Sequence, residues 1–269
     1  MRSPLQIFKD NIRPADLLLH VYRLLDTDDH FQTEGELVEA LRTLVKADAK
    51  EDLMLVYNEI FLGLVREGAL IPQPTLKRAS LAHLLRQAVV ASCTGLDTYL
   101  PALLRANLPT VIRVLGRDFV PRDDARVNEY LKELTFSLDD TLRMLADPNA
   151  AEFVSGKVLS LANFSYLSSN KGVHIVGRLL GLSKPWEQIA EHLKRDKKEL
   201  TTILDETIRR RNDIVHRADR SQEDPEGDPQ EISFSWAMQA VDTIEHVCNA
   251  LDELVKARIK EFEAAIAAQ

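Results

Sequence analysis

Apolar residues recur at helical spacing through most of the chain, broken by short polar or proline-bearing stretches. Residues 1–13 read as an irregular lead-in, with Pro14 placed to open a helix over residues 14–25 that carries Leu17, Leu18, Val21, Leu24 and Leu25. Residues 36–46 and 52–67 read as two more helices, the second with Leu53, Val56, Ile60 and Leu64 on one face. Gly68, Pro72 and Pro74 then end the pattern. This predicts a small N-terminal helical module over residues 1–72, too short for independent stability and expected to dock on the rest.

Residues 75–269 predict a helical bundle. Its first element is a helix or helix pair over residues 76–106, broken near Pro101. Further helices are predicted over residues 124–146, 151–170, 171–181 and 182–193, then 196–220 and 233–267. Between the last two lies SQEDPEGDPQE, residues 221–231, which has no apolar residue, two prolines and five acids; it predicts an exposed, mobile loop. The fold class is all-α.

The helix over residues 196–220 carries the candidate chemistry. Leu200, Ile203, Leu204, Ile208, Ile214 and Val215 fall within an arc of roughly 140° at 100° per residue. Arg211 lies near the middle of that arc, where a guanidinium loses water and needs an acceptor or an anionic partner. Asn212 and His216, four apart, stack on one flank, with Arg209 one turn earlier. Taken by themselves, these residues favour a buried ion pair from Arg211 to an acid of another helix, with His216 at the surface. Asp97, set between Leu96 and Leu100, also needs a partner and is expected to cap a neighbouring element or to pair with a basic residue of this helix.

Composition narrows the class. Hydrophobic residues at 45% and charged residues at 28% suit a globular chain that buries a core. No signal-like start and no run of about twenty uncharged residues is present, so a cytoplasmic protein without membrane insertion is expected. Cys93 and Cys248 sit in apolar helical patterns and are expected to pack as small hydrophobes. The net charge of −8 argues against indiscriminate coating of nucleic acid. Residues 194–220 nevertheless hold nine basic against six acidic residues, which suits a focused phosphate site, although such charge runs usually form a solvated face.

Arg211-Asn212-Asp213-Ile214-Val215-His216 at the end of an amphipathic helix resembles the signature of the HEPN superfamily of all-helical ribonucleases. Residues 84–100, LLRQAVVASCTGLDTYL, resemble the first helix of its RiboL-PSP-HEPN-like bacterial branch, where a Leu-Asp-x-Tyr unit follows an apolar run. The likeness spans residues 75–264 and draws nothing from residues 1–72. It implies a HEPN-like bundle that acts as a metal-independent endoribonuclease with no cofactor. The 2′-hydroxyl of RNA would attack the adjacent phosphate and leave a 2′,3′-cyclic phosphate. Imidazoles, titrating near pH ~6.5, suit the proton transfer, and arginine suits the phosphate. In this reading His216 moves the proton, Arg211 stabilises the transition state and Asn212 orients the scissile group or His216. Arg209, Arg210 and Arg217 hold flanking phosphates, and Asp97 and Asp213 lend support.

On a straight helix Arg211 and His216 point roughly 140° apart. A homodimer with a composite cleft at its interface, which the resemblance also implies, would bring two arginines and two histidines to one phosphate. The implied setting is bacterial antiviral defence or a toxin system, with an antitoxin or regulatory protein as a further partner. In one branch a tyrosine two residues after the histidine receives a nucleotide from the antitoxin; here Ala218 stands there, so the likeness does not extend to that mode of control. Two rivals compete with this reading. Asp213, His216 and Asp219, spaced by three, could belong to a helical metal site. A catalytically silent, dimeric HEPN-like interaction or sensor module could use Arg211 and His216 structurally.

Overall fold

A computed structural model describes residues 2–27, 30–161 and 167–267. Its spine is α3 (Arg78–Leu115), against which α1 (Pro4–Leu25), α9 (Lys197–Arg217) and α10 (Phe234–Ala267) pack. Around them lie α2 (Glu36–Leu44), α4 (Ala125–Leu131), α5 (Leu138–Ala146), α6 (Ala150–Leu159), α7 (Asn170–Leu179) and α8 (Pro185–Leu193). The chain is an all-α bundle with one small sheet among the described residues. No helix among them is long and apolar enough to cross a membrane.

Within the lead-in predicted over residues 1–13, the chain is helical from Pro4 onward. Ser3 caps α1 by accepting from the Gln6 amide at 3.2 Å, and Pro4 occupies the first turn, where its missing N–H costs nothing. Pro14 lies inside the helix and withholds a donor from the Asp10 carbonyl, a cost of about 3 kcal/mol. Burial offsets it: Phe8, Ile12, Ala15, Leu19 and Tyr22 enter the same core as α3 and α10. Gly95 allows the approach, because a Cβ there would stand 3.2 Å from the Phe8 ring. Phe8 meets Tyr99 with ring centroids 5.5 Å apart, and Asn11 donates to the Thr98 hydroxyl at 2.8 Å.

The predicted break at Pro101 does not occur. α3 runs through Pro101 and Pro109, held by Leu100, Leu103, Leu104, Leu108 and Val111, each no more than 1% exposed. Residues 52–67 are not a helix but an antiparallel hairpin, β2 (Leu53–Tyr57) and β3 (Leu62–Arg66), with the short β1 (Phe31–Gln32) on the other edge of β2. Leu53 and Leu55 pack under Val38 of α2, while Met54 and Val56 pack with Leu76 on the opposite face. A strand buried on both faces shows no alternation, so its apolar run reads equally as helix. Asn58 fixes the turn, accepting from the Ile60 and Phe61 amides and donating to the Leu24 and Asp26 carbonyls at the end of α1.

The single helix predicted over residues 124–146 is two. α4 ends at Leu131, and a capping box between Ser137 and Asp140 starts α5. The predicted apolar face divides with it: Val127 and Leu131 are buried, whereas Leu138, Leu142 and Leu145 of α5 are more than half exposed. The helix predicted over residues 151–170 is α6, ending at Leu159; Phe164 and Tyr166 lie outside the described residues. Cys93 and Cys248 are free and buried.

Candidate active site

α9 begins where Asp196 accepts from the Glu199 amide at 2.8 Å, and it buries Leu200, Leu204, Thr207 and Ile214. It ends abruptly. Ala218 and Asp219 both take left-handed backbone conformations, φ 50° and 64°, and the Asp219 amide donates back to the Asp213 carbonyl at 3.0 Å. This turn swings the Asp219 side chain inward.

Asp219 is fully buried, and its carboxylate lies between two arginines from different elements. Arg86 of α3 donates to it at 2.6 Å and Arg210 of α9 at 2.8 Å. The same guanidiniums reach the Gln230 carbonyl at 2.8 and 3.0 Å, and Arg210 also reaches that of Glu231 at 3.0 Å. The Gln230 amide closes on the Asp219 carbonyl at 2.8 Å, so the acidic loop is clamped at its base. Arg220 ties the far side down by donating to the Gly227 carbonyl at 2.8 Å. Arg210 is therefore tied into the fold by the Asp219 carboxylate and two loop carbonyls. The signal for this clamp was present in the sequence as a guanidinium, Arg86, inside the apolar run of residues 84–91.

Arg211 meets the partner that its position on the helix demands. Its guanidinium lies 3.7 Å from the Asp97 carboxylate of α3, with the two side chains 23% and 33% exposed. The Arg211 Nε and one Asp97 oxygen are buried without a hydrogen bond, so the contact is an ion pair that leaves donor capacity unused. Helical geometry explains the Leu-Asp-x-Tyr unit. Leu96 and Tyr99 turn into the core, where the Tyr99 hydroxyl donates to the Cys248 carbonyl at 3.0 Å, and Asp97 turns toward α9. Burial pushes the neighbouring Cys93 thiol up to about 12, with Arg211 pulling it back and Asp97 adding to the rise.

His216 and Asn212 are exposed, and at 100° per residue along α9 His216 points roughly 140° away from Arg211. Arg209 is exposed on their stripe and makes no ion pair among the described residues. Arg217 pairs with Asp213 one turn back. Much of the basic excess is consumed in this way, since Arg195 pairs with Glu199 and Lys197 with Glu187. The carboxylates of the Asp213, His216 and Asp219 triplet face different partners, Arg217 for the first and the interior arginines for the third, so the three do not form one metal-ligand cluster.

Between α9, the clamped loop and the first turn of α10 lies a groove of about 470 Å³. Arg209, Arg217, Ser221, Gln222 and Trp236 line it. The Arg210 guanidinium stands 5.6 Å from the Trp236 ring centroid. Neither the loop nor Trp236 belongs to the sequence signature.

A family model described as RiboL-PSP-HEPN matches residues 69–257, a span that contains the Leu-Asp-x-Tyr unit, α9 and most of α10. No curated protein and no solved structure matches the chain.

Proposed function

This chain belongs to the RiboL-PSP-HEPN family, and on that footing we propose that it is a metal-independent endoribonuclease acting in the cytoplasm. The observation that supports the reading most is the pairing of the two family elements: the acid of Leu-Asp-x-Tyr holds the arginine of Arg-x-x-x-x-His, 3.7 Å away. The histidine of the same signature stays open to solvent.

In the proposed reaction His216 accepts the 2′-hydroxyl proton, and the 2′-oxygen attacks phosphorus. Arg211 neutralises the charge that gathers on the phosphorane oxygens. The P–O5′ bond breaks, and a histidine returns a proton to the leaving oxygen. The products are a 2′,3′-cyclic phosphate and a 5′-hydroxyl. Asn212 orients the scissile group, and Arg209 and Arg217 hold flanking phosphates. Asp97 positions Arg211, and Asp213 positions Arg217. Because Arg211 and His216 diverge on one helix, the working site takes Arg211 from one copy and His216 from the other across a twofold axis. The physiological setting we propose is antiviral defence or a toxin system restrained by an antitoxin or regulatory protein.

The Arg211 to Asp97 pair also favours a second reading, a non-catalytic dimeric sensor in which both residues are structural. One experiment separates the two. Purified wild-type and His216→Ala protein are incubated with total RNA in EDTA, and the product ends are identified. Cleavage to 2′,3′-cyclic phosphates by the wild type alone supports the nuclease; no cleavage by either supports the sensor.

A further inference from the structure

The groove between α9 and the clamped loop holds too few unpaired cations for a long phosphate track. Arg210 is neutralised by Asp219 and Arg217 by Asp213, which leaves Arg209 as the lining guanidinium without an ion pair among the described residues. A phosphate track needs several uncommitted cations, because its affinity comes from displaced counterions. One uncommitted arginine beside an indole, on a wall shared with the Glu206 carboxylate, fits a single nucleotide instead. The volume, about 470 Å³, lies within the roughly 300–1,000 Å³ of small-ligand sites.

The indole wall is held in place. Arg210 lies over Trp236, and Arg210 is itself fixed by the Asp219 carboxylate and two loop carbonyls. Such a platform loses little freedom when a base stacks on it. Gln222, also in the lining, brings an amide with both a donor and an acceptor, the pairing needed to read a base edge. Arg209 and His216 are seven residues apart, two turns along one stripe or roughly 10 Å. A nucleotide seated at Arg209 therefore neighbours the bond that His216 addresses.

We propose that this groove is a nucleotide pocket that sets sequence preference. It takes one nucleotide flanking the cleaved bond of single-stranded RNA, with the base against Trp236, its edge at Gln222 and its phosphate on Arg209. The inference rests on the endoribonuclease reading for its biological meaning, but its test does not depend on cleavage. The His216→Ala protein is titrated with each of the four nucleoside 3′-monophosphates and with 2′-O-methyl tetranucleotides that cannot be cut, and tryptophan fluorescence is followed. Of the two tryptophans, Trp186 is 3% exposed, so a saturable change reports on Trp236. The expected result is such a change, stronger for one base than for the others. Arg209→Ala, at an exposed position, weakens it about tenfold, and Trp236→Phe abolishes the signal while calorimetry still detects binding. No saturable change, or the same affinity in Arg209→Ala, overturns the pocket and leaves the nuclease reading standing. Binding by a wild-type protein that never cuts RNA supports the pocket and sinks the nuclease reading.

Discussion

Arg211 and Asp97 face each other at 3.7 Å across the seam between α9 and α3, joining the two stretches in which the family resemblance resides. The pair is partly solvated, so its contribution to stability is at most about 1 kcal/mol. Its contribution to aim is larger. Asp97→Ala is expected to shift the melting temperature by no more than a few degrees while lowering cleavage about tenfold to a hundredfold, because a misplacement near 1 Å costs that much. Parallel melts and initial rates check it. A large fall in stability with unchanged specific activity would make Asp97 merely structural.

A composite site predicts complementation. Arg211→Ala and His216→Ala homodimers should each lose cleavage by about a hundredfold or more. Mixed and allowed to exchange subunits, half the dimers carry one intact arginine–histidine pair, and about a quarter of wild-type activity should return. A mixture as inactive as its components would show that both groups act from one chain.

Asp219 is fully buried, and Arg86 is 6% exposed. Removing the carboxylate strands two guanidiniums, so Asp219→Ala is expected to cost about 3–5 kcal/mol. Urea unfolding should show a lower midpoint. A cost near zero would mean that the clamp does not hold the loop.

Stability should fall in acid through Asp124. Burial pushes its carboxyl up, but hydrogen bonds from His174 and from the Val127 and Arg126 amides outweigh this and hold it below the usual 3.8. The ionised form is thus favoured by folding. Its stabilisation is complete above the unfolded carboxylate value and is lost as pH falls below it. Asp124→Asn keeps a cap acceptor for α4 but gives up the pairing with His174 and Arg178. Melting curves between about pH 5 and pH 3 should converge for wild type and variant as the pH drops. Parallel curves would remove Asp124 from the acid response.

Periodicity located the long helices because a face buried along its whole length repeats every turn. α9 and α10 were readable in this way, as was the need of Arg211 for an anionic partner, since its place in the apolar arc follows from residue number alone. The caps at Ser3 and Ser137 came only from the structure, because Pro14 suggests a later helix start and the apolar spacing continues across residues 132–137. Where two periods coincide, the sequence is mute. Leu53, Val56, Ile60 and Leu64 match a helix, and only Val38 and Leu76 on opposite sides make Leu53–Tyr57 a strand.

The sequence by itself determined an all-α bundle and a helix ending in arginine and histidine, because spacing along one helix fixes which residues share a face. Tertiary structure alone decided which cations remain uncommitted. Arg209, Arg210 and Arg211 are consecutive and chemically identical, yet one is exposed, one clamps a loop through Asp219 and one pairs with Asp97. Those fates depend on carboxylates that are distant in sequence or turned inward by the left-handed backbone after α9.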